Sequence, residues 1–97
     1  MPVFIVLGNY TEQGIRNIKN VSDLQHAAES WTASKGGRVL GNYTTLGPYD
    51  FVFIVELPSG DVVLEGAFLF GSQGEVRTQT MMAFPAEEAV DIAQRLP

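Results

Sequence analysis

A two-layer α+β fold, β-α-β-β-α-β with one further helix at the C-terminal end, is predicted by three observations. Four short runs rich in β-branched and aromatic residues, 3–7, 38–45, 50–57 and 76–84, are bounded by turn residues. Stretches with helical spacing fall between the first and second runs, between the third and fourth, and after the last. Finally, 97 residues with 45 % hydrophobic and 18 % charged content suit one domain spanning 1–97, with room for a single two-layer core.

The first run, 3–7, is apolar and stops at Gly8-Asn9, as a buried strand ends in a turn. From Thr11 the spacing turns helical through Ile15 and Ile18. After Asn20-Val21, Ser22 and Gln25 have the spacing of a capping box ahead of a longer helix. Its Leu24, Ala27, Ala28 and Trp31 make one apolar stripe, and Gly36-Gly37 supplies a left-handed stop. The second and third runs, joined by Leu46-Gly47-Pro48-Tyr49, read as a hairpin. Pro58-Ser59-Gly60-Asp61 opens the next helix, with Ser59 or Asp61 as cap, and residues 62–70 are apolar nearly all round it. The fourth run precedes Pro85, which starts a last helix with Ala89, Ile92, Ala93 and Leu96 in one stripe.

This order is the ferredoxin-like motif, whose right-handed crossovers set the first and third strands side by side at the centre of a four-stranded antiparallel sheet. Both central strands are apolar on both faces: Val3, Ile5 and Leu7 alternate with Phe4 and Val6, and Phe51, Phe53 and Val55 with Val52 and Ile54. A sheet with one wet face should alternate apolar with polar. Leaving even ~400 Å² of apolar surface in water would forgo on the order of 10 kcal/mol. Sheet-to-sheet pairing in a homodimer is therefore expected, the alternative cover being the last helix folded across that face.

Six Lys and Arg against eleven Asp and Glu give a net charge of −5, with the basic residues scattered along the chain. Nucleic acid and anionic membrane, which need a concentrated positive face, are poor partners for such a chain. The absence of cysteine removes disulfides, thiolate catalysis and Cys-based metal sites. The opening residues lack the basic region of a secretory signal, so cytoplasm is the default. Pro2 could act as an amine base only if Met1 were removed. The sequons at Asn9, Asn20 and Asn42 carry no weight, and Val-Leu-Gly-Asn-Tyr-Thr, present at 6–11 and 39–44, is read as a coincidental repeat.

Residues 6–15 (Val-Leu-Gly-Asn-Tyr-Thr-Glu-Gln-Gly-Ile), Leu46 to Val52 with Gly47-Pro48-Tyr49-Asp50, and Val76 to Thr80 together resemble the GYD-domain family. The resemblance runs from the first strand through the fourth and leaves out the last helix. It implies a dimeric α+β barrel. It implies little about activity, since similar folds include cofactor-free monooxygenases, lactone isomerases and haem-handling proteins.

The polar residues sort onto two ends of the expected sheet: Tyr43, Thr45, Tyr49 and Asp50 at one, and Asn9, Tyr10, Thr11, Arg38, Glu56 and Arg77 at the other. Asp50, at the start of a central strand, is the candidate general base if burial raises its pKa, although short Asp side chains also fix hairpin register. Tyr49 or Tyr43 would then stabilise an enolate. Arg77 is a candidate anion site beside helix N-termini, or else a salt-bridge partner, while Arg38 and Glu56 should form a cross-strand pair. Tyr10, Trp31 and His26 complete the ligand candidates, with Trp31 also readable as core. His26 lies off the apolar stripe and, as a lone histidine, makes no metal site. The function expected is a small-molecule binder or cofactor-independent proton-transfer enzyme, with a pocket between sheet and helices and neither metal nor cofactor. The alternative is a non-catalytic dimeric interaction or regulatory module.

Overall fold

The computed structural model describes all of residues 1–97. The strands are β1 (Val3–Tyr10), β2 (Arg38–Thr44), β3 (Phe51–Glu56) and β4 (Val76–Ala83). The helices are α1 (Glu12–Arg16), α2 (Val21–Ser34), α3 (Gly60–Ser72) and α4 (Ala86–Ala93), with a 3-10 turn, Ile18–Asn20, ahead of α2. The sheet order is β2-β3-β1-β4 and every pairing is antiparallel, which is the ferredoxin-like arrangement. No helix is long and apolar enough to cross a membrane.

The register assigns each side chain to a face, because directly opposed residues point the same way. Phe4 faces Val55, Val6 faces Phe53, and Gly8 faces Phe51 on the side covered by α2 and α3. Phe4, Val55 and Leu57 are the buried centre of this layer, with Trp31, Phe53, Val62 and Val63 against them. The other face carries Val3, Ile5 and Leu7 from β1, Val52 and Ile54 from β3, and Gln79 and Met81 from β4. No helix lies over it, so the two-sided apolar character of the central strands is left open to water.

The last helix does not fold across that face. Every residue of α4 is exposed, as are Met82 and Phe84 leading into it. The chain is correspondingly long and thin, 54 × 31 × 18 Å. Its radius of gyration of 14.9 Å exceeds the roughly 12.5 Å of a compact domain this size. Only 8 of 97 residues are buried, so much of the apolar surface is exposed.

Two local expectations need correction. Ser22 and Gln25 form no capping box: Asn20 is the cap residue of α2, without a side-chain cap bond, and Ser22 already lies inside the helix. The 3-10 turn feeds α2 with backbone that is already helical at Val21, φ −59° and ψ −27°, so no extended residue precedes the helix to act as a cap. Ala27 is exposed, and the inward stripe is Leu24, Gln25, Ala28, Trp31 and Thr32. Gly36, at φ 78°, does provide the left-handed stop.

Helix α1 is held at both ends of its first turn. The Thr11 hydroxyl donates to the Gly74 carbonyl (2.6 Å) and accepts from the Gly14 N–H (3.1 Å), while the Thr11 N–H donates to the Glu75 carbonyl (3.0 Å). Gly14 is buried against the start of β4 in consequence. At the opposite edge of the sheet, β2 carries a bulge between Val39 and Gly41, whereas β4 pairs with β1 without interruption over all eight of its residues.

Candidate functional site

Because β1 and β3 are antiparallel, β1 ends where β3 begins. Asp50, Tyr10, Arg77 and Tyr43 thus share one end of the sheet, and Arg38 and Glu56 occupy the other, opposite Val3 and Ala83. The expected split between an Asp50 end and an Arg77 end is therefore wrong. It treated the two central strands as running in the same direction.

Asp50 locks the β2–β3 hairpin to the end of β1. Its carboxylate Oδ2 accepts from the Tyr10 N–H (2.9 Å), its own N–H donates to the Gly8 carbonyl (2.8 Å), and its carbonyl accepts from the Thr45 N–H (2.8 Å). This carboxylate thus has a backbone partner and does not line the cavity between the sheet and helices α2 and α3. Asp50→Ala should cost about 1–3 kcal/mol, because it strands the Tyr10 N–H, whereas the amide oxygen of Asp50→Asn can still accept and should restore most of that loss. Urea unfolding of the two variants checks the difference.

The other candidates lie on several surfaces. The Tyr49 hydroxyl donates to Gln79 Oε1 (2.8 Å) on the open face, and Tyr43, 60 % exposed, lies on the same face beside Val52. Asp50, Tyr49 and Tyr43 therefore do not converge on one cavity. Arg77 is exposed on the open face opposite Asn9, away from the helix layer, and takes part in none of the ion pairs. Arg38 and Glu56 do pair across the strands at 3.1 Å. His26 is exposed on α2, and no group of three His, Asp or Glu side chains is placed to hold a metal.

Tyr10 and Trp31 do come together, in the walls of a partly open cavity of about 120 Å³ between the helix face of the sheet and helices α2 and α3. Trp31 meets Phe70 edge-on at 6.1 Å, and Lys35 Nζ sits 5.9 Å from the indole. A Cβ on Gly66 would lie 2.7 Å from the Trp31 ring, so a glycine lets α3 approach that closely. Val63, Ala67 and Phe70 of α3 form one wall, while Leu64, Phe68 and Leu69 on its other sides are exposed, so the cavity accounts for only part of the apolar character of this helix. Phe51, Phe53 and the polar Gln25, Asn42, Thr78 and Thr80 also line it and were missed as candidates. Strand alternation carried a signal for two of them, because Thr78 and Thr80 share a face with buried Val76.

Tyr10 packs on Phe51 at 5.5 Å. Burial, and secondarily the Asp50 carboxylate, raise its phenol above the usual 10.0. The unfolded chain therefore ionises first as pH rises, and stability falls through the alkaline range up to the folded value. Tyr10→Phe should flatten that loss, which urea midpoints between about pH 9 and 11 would measure.

A four-stranded antiparallel sheet with helices on one face and a small cavity beneath them defines a ferredoxin-like α+β protein. Residues 4–93 match the model of the GYD domain, and the chain belongs to that family. The match includes α4, which the resemblance in the sequence had left out. The chain is 34 % identical over 91 residues to a Thermus thermophilus protein named glutamine synthetase and cystathionine beta-lyase binding protein, covering 93 % of this chain and 96 % of that one. It also resembles the crystal structure of FFRP-DM1, with a TM-score of 0.56 and 21 % identity over 87 % of this chain and 100 % of the other. At that identity the likeness speaks for the fold alone.

Proposed function

We propose that this chain is a non-catalytic interaction module that pairs with a second copy through the open face of its sheet and, as a dimer, binds and regulates other proteins. The observation that carries this reading is the uncovered apolar face formed by Val3, Ile5, Leu7, Val52 and Ile54. A monomer gains nothing by leaving such a face wet, whereas two-fold pairing buries it twice. The backbone role of Asp50 and the separation of Tyr43 from the cavity favour binding over proton transfer.

The name of the Thermus thermophilus relative supports metabolic enzymes as partners, with glutamine synthetase and cystathionine beta-lyase the first to try. A cytoplasmic setting belongs to the same proposal. Sedimentation of the purified chain, alone and mixed with each enzyme, is the test. The chain should sediment as a dimer at micromolar concentration and move with at least one enzyme; a monomer that associates with neither would refute the reading. A second reading, small-molecule binding, is favoured by the cavity, and it would let a metabolite adjust partner binding.

A further inference from the structure

We infer that the cavity beneath α2 and α3 binds an uncharged, single-ring aromatic molecule bearing one hydroxyl or N–H group, of the phenol class. This inference rests on the small-molecule reading above and names its ligand. It is independent of whether the chain binds enzymes.

Size comes first. Apolar cavities of about 150 Å³ accept benzene, and this one, at about 120 Å³ and partly open, has room for one ring and little more. Its walls are aromatic: Phe51 and Phe53 on the sheet, with Trp31 and Phe70 on the helices. Two glycines set two of those rings in place, since a Cβ on Gly66 would strike Trp31 and one on Gly8 would overlap the Phe51 ring. Ring faces and edges so arranged favour another ring through offset and edge-to-face contacts.

Charge selects further. No Asp, Glu, Lys, Arg or His side chain lines the cavity. A carboxylate, ammonium or phosphate entering it would lose its hydration without meeting a counter-charge, which disfavours free amino acids and nucleotides. The lining offers neutral polar groups instead, the Tyr10 phenol, the Gln25 amide and the Thr78 and Thr80 hydroxyls. No hydrogen bond within the chain uses any of these four side-chain groups, so each is available to a hydroxyl or N–H on the ligand. The Tyr10 phenol, its pKa raised further above the usual 10.0, is protonated and able to donate at neutral pH.

Trp31 is the single tryptophan of the chain and stands in the cavity wall, so its fluorescence reads occupancy directly. The intact chain would be titrated with p-cresol and, separately, with 4-hydroxybenzoate, which carries a carboxylate in place of the methyl group. p-Cresol should perturb Trp31 emission saturably, and 4-hydroxybenzoate should bind at least about tenfold more weakly. Ala28→Leu, which fills the cavity from α2, should weaken p-cresol at least about tenfold while circular dichroism stays unchanged. If that variant does not fold, Ala67→Leu fills the space from α3 and serves in its place. Equal affinity for the two compounds would overturn the ligand class while leaving a small-molecule site. Unperturbed Trp31 emission with both would overturn the site as well, and undiminished p-cresol binding by the folded filled variant would place the ligand elsewhere.

Discussion

An Ile5→Glu variant is expected to sediment as a monomer at concentrations where the wild-type chain is paired. Ile5 stands at the middle of the open face, with Ile54 opposite it on one neighbouring strand and Met81 on the other. A two-fold interface would bury the new carboxylate twice, and each unpaired charge taken out of water costs several kcal/mol. The dissociation constant should rise by at least about a thousandfold, some 4 kcal/mol. The fold should survive, because the buried Phe4, Val55 and Leu57 lie on the other side of the sheet. An Ile5→Glu chain that pairs as well as wild type would falsify pairing through this face.

Gly14→Ala is expected to destabilise the chain by about 2 kcal/mol net, although alanine is the better helix former. A Cβ at this position would stand 2.1 Å from the Glu75 carbonyl oxygen. That oxygen cannot move aside freely, since it accepts the Thr11 N–H that docks α1 on β4. Gly71→Ala provides the contrast. Nothing lies within 4 Å of its added methyl, in the exposed last part of α3, and it should gain about 0.5–1 kcal/mol. Urea unfolding of both variants under one set of conditions would show opposite signs, and two losses of similar size would refute the contact assigned to Gly14.

The element order and the doubly apolar central strands could be read from residues alone, because periodicity of two and of 3.6 survives in a one-dimensional string. Strand direction also follows from an antiparallel sheet with the first and third strands adjacent, and the reading of the sheet ends failed because it set those two strands parallel. Whether Asp50 faces Arg77 or sits across the sheet from it depends on which way β1 and β3 run, a property of the connections. The false capping box has a similar origin, since Ser22 and Gln25 have the right spacing but the chain arrives at them already coiled. For Asp50 the residue type allowed a base or a register pin, and only the 2.9 Å bond from Tyr10 picks the pin. The cavity was half legible: the apolar α3 announced a wall, while Asn42 and Gln25 look like ordinary surface residues until two elements close around them.

The two borders of the sheet have unequal capacities for growth. The register shift between Val39 and Gly41 spoils β2 as a template for an incoming strand, whereas β4 keeps an unbroken register along its whole length. A sheet with one competent margin can join a single neighbour edge to edge, after which both margins are spent. Strand-by-strand growth of the sheet is therefore limited to the β4 side, and the β2 margin gives no second point of edge addition.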